Sequence, residues 1–182
     1  MDDFLINFSQ KLKDQNFYKI HINRGGCGRA AEEFYKYFRK LNKYEVLGIR
    51  VLSDMSPKLS PRKTDKTSCL DMHFDHIVLA IKHEGIVYYV DAAYGIVPQS
   101  RYHTDTVFRR LKPMTGYINL KRMQSYLNRP GTWNTVFNVQ KINKIRKFLK
   151  EGDSNERSIR NRTLPTRTQR ASRAFESLQW VR

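Results

Sequence analysis

A cysteine, a histidine and an aspartate occur in this chain in an order that can carry acyl transfer. Arg24-Gly25-Gly26-Cys27 opens a stretch with helical periodicity, His76 begins one apolar run, and Asp91 ends another. A thiolate attacks carbonyl carbon, an imidazole hands its proton to the leaving group, and a carboxylate fixes the imidazole tautomer. Unpaired amides and the helix dipole favour a thiolate at a helix N-terminus, and a nearby imidazolium favours it further. The Cys27 backbone N–H could donate to the developing oxyanion. His21 and Asn23 lie upstream at suitable separations for a second donor, and neither is singled out.

These three residues need elements to hold them. Phe4, Leu5, Phe8 and Leu12 recur at helical spacing, so an amphipathic helix is expected over residues 2–14. A short apolar piece from Tyr18 to Ile22 leads into the glycine pair, which permits a tight turn and close backbone approach. From Cys27 to Leu41 the apolar positions Ala30, Ala31, Phe34, Tyr37, Phe38 and Leu41 again follow a helix, with charged residues opposite. Val46 to Leu52 reads as a strand. Ser53 to Ser68, with two prolines and little apolar content, reads as a loop or insertion.

The clearest hairpin follows. His76-Ile77-Val78-Leu79-Ala80-Ile81 and Ile86-Val87-Tyr88-Tyr89-Val90-Asp91 flank a short link in which Gly85 suits a left-handed position. Both strands are apolar on both faces, which predicts an interior place in the sheet. A turn centred on His83-Glu84 sets His76 opposite Asp91, where Cβ atoms lie roughly 4.5–5.5 Å apart. A bulge at Gly85 would shift that register. Val78, Ala80, Val87 and Tyr89 would line the same face. Later signals are weaker: a strand over Val107–Leu111, a helix over Leu120–Leu127 and a basic helix over Val139–Leu149.

With these residues in place, the chain resembles the transglutaminase-like core of the papain-like superfamily. The resemblance rests on Gly26-Cys27-Gly28-Arg29-Ala30-Ala31, on Asp75-His76-Ile77-Val78-Leu79 and on Tyr89-Val90-Asp91-Ala92-Ala93-Tyr94-Gly95. The Gly-Gly-Cys and Val-Asp-Ala-Ala-Tyr-Gly stretches are also similar to arylamine N-acetyltransferases. It covers about residues 20–97 and implies Cys27 as nucleophile, His76 as base and Asp91 as its orienting acid. The implied fold is α+β, with the nucleophile helix packed on an antiparallel sheet over residues 1–150. A basic, flexible tail would occupy 151–182.

The implied activity is that of a peptidase or amidase acting on a protein or peptide through a Cys27 thioester, without a cofactor or metal. Water as final acyl acceptor is preferred to an amine by analogy of fold. A metal alternative would draw on Cys69, His73 and His76, with Cys27 or Asp75 as a fourth ligand, at a spacing unlike standard zinc sites.

Charge supplies the competing reading. Thirty-four basic residues against 17 acidic give a formal net charge of +17, a field that attracts polyanions. Arg157, Arg160, Arg162, Arg167, Arg170 and Arg173 concentrate it in the tail. A non-enzymatic nucleic-acid-binding protein is therefore the alternative, although no zinc finger, helix-turn-helix or RNA-binding aromatic motif accompanies the charge. The two cysteines fit a reducing compartment better than a disulfide scaffold. With no secretory signal and no long apolar run, a cytoplasmic protein without membrane contact is expected.

Overall fold

Residues 1–23, 26–53, 76–114, 116–127 and 136–163 are described by a computed structural model. Helix α1 spans Asp3–Asp14, and the Asp2 side chain caps it by accepting the Leu5 N–H at 2.9 Å. Its apolar stripe, Leu5, Phe8 and Leu12, is buried. Helix α2 spans Cys27–Leu41, as its periodicity predicts, and ends at Asn42 in the left-handed conformation. Phe8 meets Phe34 and Phe38 edge-on, joining α1 to α2, and Phe38 meets Tyr44 edge-on.

Five antiparallel strands form one sheet: β1 (Glu45–Ser53), β2 (His76–His83), β3 (Ile86–Asp91), β4 (Gly95–Pro98) and β5 (Lys112–Pro113). Their order across the sheet is β4-β3-β2-β1-β5, so the expected hairpin does lie inside it. The architecture is α+β. Helix α2 packs on β2, β1 and β3, and α1 packs on β4.

Strand alternation divides the core. Ile49, Val51 and Ile77 face α2, where they pack with Cys27, Ala31, Ile118 and Met123. Val78, Ala80 and Tyr89 point the other way, into a cluster with Leu52, Val97, Tyr102 and Leu111. Val87 is partly buried against the same cluster.

The hairpin register differs from the expected one. The loop is Glu84-Gly85, both at positive φ (49° and 79°), with His83 paired to Ile86 and Leu79 to Val90. Two positive φ values make a two-residue turn whose twist matches the strands. Continuing that register sets Val78, not His76, opposite Asp91. His76 and Asp91 become diagonal neighbours, and because the change is an even one both stay on the same face.

Two later elements also differ. Val107–Leu111 is not a strand. The Thr106 hydroxyl donates to Tyr102 O at 2.7 Å and accepts the Phe108 N–H at 3.1 Å, and the Leu111 N–H then closes a turn on Phe108 O at 3.1 Å. Local side-chain bonds of this kind compete with a ladder. A short 3₁₀ turn, Gln99–Arg101, and helix α3, Tyr102–Asp105, precede this segment.

Helix α4 covers Leu120–Leu127 as expected. Helix α5 runs Val136–Thr163, past both ends of the expected basic helix and through the expected boundary at 150. By compactness the chain divides into a unit of Met1–Arg146 and a second beginning at Lys147. The expected loop beyond Ser53, and the tail beyond Thr163, lie outside the described residues. Among the described residues, no helix is long and apolar enough to cross a membrane.

Candidate active site

Cys27 is the first residue of α2 because the chain ahead of it turns tightly. The Gly26 N–H bonds Ile22 O at 3.0 Å, and Gly26 O accepts the first helical bond from the Ala30 N–H at 2.9 Å. A Cβ on Gly26 would stand 2.5 Å from the Ile22 carbonyl oxygen, so only glycine permits this approach. No side chain caps this helix end and no acidic residue occupies its first turn. The positive end of the dipole, at the residue that begins the helix, is therefore not offset by a side-chain cap or an acidic residue.

The tightness of this approach is testable. Gly26→Ala should cost about 1–3 kcal/mol through overpacking against backbone. Gly85→Ala, where no atom lies within 4 Å of the added Cβ, should cost only the left-handed penalty of about 1–2 kcal/mol. Urea denaturation midpoints compare the two, and only the Gly26 change should also slow chemical labelling of Cys27.

His76 begins β2, and Asp91 ends β3. The His76 Nε2 lies 2.6 Å from Asp91 Oδ2, with both residues almost wholly buried (1 % and 2 % exposed). Asp91 is surrounded by donors. Tyr102 OH gives a 2.6 Å bond to Oδ2, while Ala93 N–H at 2.7 Å, Tyr94 N–H at 3.3 Å and Asn23 Nδ2 at 3.3 Å reach Oδ1. The backbone turn after β3 thus wraps the carboxylate.

Electrostatics follow from this arrangement. Burial alone would raise the Asp91 carboxyl, but the His76 charge, its hydrogen bond and those from Tyr102 and Ala93 hold it below the usual 3.8. Burial alone would lower His76. The charge and hydrogen bond of Asp91 outweigh it, Cys27 adds to the effect, and the imidazole is raised from 6.5 to about 9. Nδ1, the nitrogen turned away from Asp91, makes no hydrogen bond of good geometry. Cys27 itself is 3 % exposed and packed among Ile49, Val51 and Ile77.

The structure therefore brings together all three residues singled out from sequence. It adds two that the sequence did not reveal. Tyr102 supplies the second short bond to Asp91 and is fully buried. Phe108 stacks on the His76 ring with centroids 4.1 Å apart and planes 18° from parallel. Asn23 is committed to Asp91 through Nδ2, and the His21 carbonyl accepts a 2.8 Å bond from Lys141 Nζ. Cys69, His73 and Asp75, on which the metal alternative rested, lie outside the described residues. Among the described residues no group of three His, Cys, Asp or Glu could hold a metal ion. Comparison with protein-family models, with curated proteins and with solved structures returns no match.

Proposed function

We propose that this protein is a cysteine-dependent acyl-transfer enzyme of the papain-like, transglutaminase-like type, hydrolysing an amide bond in a protein or peptide. The observation that carries the reading is the buried 2.6 Å His76–Asp91 bond, which leaves Nδ1 unpartnered on an imidazole that Cys27 influences. Burying a charged pair costs free energy. Here it yields an oriented imidazolium beside a thiol.

In the proposed reaction the Cys27 sulfur forms a C–S bond to the substrate carbonyl carbon, and the C=O π pair moves to oxygen. The oxyanion is held by backbone N–H groups at the start of α2. Collapse breaks the C–N bond, and the leaving amine takes the proton from His76 Nδ1. Water then adds to the thioester carbon and gives its proton to the same nitrogen. The C–S bond breaks, releasing the carboxylic acid and restoring the thiolate–imidazolium pair. Asp91 holds the ring by Nε2 throughout.

The competing reading, a non-enzymatic polyanion-binding protein, draws on the near-complete burial of Cys27 and on the net charge of +17. One experiment separates the two. Labelling of Cys27 by iodoacetamide is followed by mass spectrometry at about pH 6, with Cys69 as internal reference, in the parent and in His76→Ala. The enzymatic reading expects Cys27 to label faster than Cys69 and to slow about tenfold or more without His76. Labelling of Cys27 indifferent to His76 would reject it.

A further inference from the structure

Phe108, stacked on His76, opens the turn closed by the Leu111 N–H on Phe108 O. The two central residues of that turn are Arg109 and Arg110, and both are exposed, as is Lys112 just beyond. Thr106 pins the segment to Tyr102 and to the Phe108 amide, so the turn is held where the imidazole is held. Consecutive Cα atoms are ~3.8 Å apart, so both guanidinium groups spring from within two residues of the ring that covers His76.

Several cations of this unit are paired with carboxylates: Lys36 meets Glu32, Lys43 meets Asp2, Arg101 meets Asp105, and Arg146 meets Glu33. Among the described residues, Arg109, Arg110 and Lys112 have no carboxylate partner. Nearby exposed residues include apolar and aromatic ones. Val107 is 65 % exposed, and Tyr18, 58 % exposed, packs edge-on to Tyr94, which in turn packs edge-on to Phe108.

We propose that the Arg109–Arg110 turn, with Lys112, is the specificity element of the site. It recognises acidic side chains, so the preferred substrate is a peptide with Asp or Glu close to the bond that is cleaved. This rests on the catalytic reading of Cys27, His76 and Asp91. Guanidinium groups pair with carboxylates in two-point geometry, and unpaired cations beside a site raise the local concentration of anionic substrate. A peptide is favoured over a nucleic acid because three cations on one turn do not make a groove that follows a phosphate backbone over several nucleotides. A nucleic acid also offers no acyl bond to this site.

The test compares two peptidyl chloromethyl ketones, identical except for Glu against Gln at the positions flanking the reactive group, as irreversible labels of Cys27. In the parent the Glu probe should react about fivefold faster at low salt, the scale of one or two exposed charge pairs, and the advantage should fade in high salt. In Arg109→Gln/Arg110→Gln the ratio should fall to about one, with the rate for neutral iodoacetamide unchanged. A ratio near one in the parent, or one that survives the double substitution, overturns the specificity assignment while leaving the catalytic reading intact. Iodoacetamide labelling indifferent to His76→Ala overturns both. Protection of Cys27 by a single-stranded oligonucleotide, lost in the double variant and not reproduced by poly-glutamate, would assign the turn to nucleic acid and overturn the acidic-peptide assignment.

Discussion

Asp91→Asn is expected to lower turnover by about a thousandfold or more and to destabilise the fold by about 3 kcal/mol. The reasoning is one of donors and acceptors. The carboxylate accepts from five groups, three on Oδ1 (Asn23, Ala93 and Tyr94) and two on Oδ2 (His76 and Tyr102). An amide has only one acceptor oxygen, which will take the side with three donors. Its NH₂ then faces Tyr102 OH and His76 Nε2. To accept from that NH₂, the imidazole must lose its Nε2 proton and carry the remaining one on Nδ1. Burial, no longer opposed by a charge, keeps the ring neutral.

Nδ1 is then a protonated donor on a neutral ring, unable to accept the cysteine proton. Alkylation of Cys27 at about pH 6 should fall with turnover, and urea denaturation should report the lost stability. Tyr102→Phe is the contrasting variant. It removes one bond to Oδ2 and leaves His76 charged, so it should cost about 1–2 kcal/mol and reduce the rate less than tenfold. Unchanged Cys27 reactivity in Asp91→Asn would mean that the pair is an element of the core and nothing more.

Where local chemistry dominates, the sequence was readable. Helices α2 and α4 begin and end where their apolar spacing says they should, and Gly26 announces the close approach that precedes Cys27. The α+β class and the interior position of β2 and β3 follow from two apolar runs joined by a short link. The hairpin register was not readable, because it depends on Glu84 accepting a φ of 49°, an uncommon conformation for that residue. His76 and Asp91 still meet because an even displacement preserves which face a side chain occupies.

Tyr102 and Phe108 were invisible for a different reason. Both lie in a segment without periodicity, and only tertiary contacts with Asp91 and His76 give them meaning. Sequence can mark an acid and a base. It does not mark the phenol that holds the acid or the ring that covers the base. The length of α5 shows the limit of reading apolar content alone. Beyond residue 150 the stripe fades, yet Glu151, Glu156, Arg157 and Arg160 are good helix formers, and the helix continues to Thr163.

The buried pair also gives the fold a defined response to pH. His76 is raised to about 9 in the folded protein from 6.5, so its protonated form contributes about 3 kcal/mol to stability. That contribution is complete below about pH 6.5 and is lost as pH rises through about 9. Asp91 titrates in the opposite sense. Its folded value lies below 3.8, so its share is present above that value and disappears as pH falls through the folded one. The two belong to one interaction and are counted once. Stability from this pair should therefore be level between about pH 4 and 6.5 and should decline toward pH 10. His76→Gln keeps a neutral hydrogen-bonding side chain and removes the titration. Urea midpoints measured from about pH 5 to 10 should slope downward in the parent by the equivalent of about 3 kcal/mol, and should lose most of that slope in His76→Gln. A parent profile as flat as the variant's would show that His76 is not held charged by Asp91 in the folded protein, and with that the imidazolium on which the proposed reaction depends would be gone.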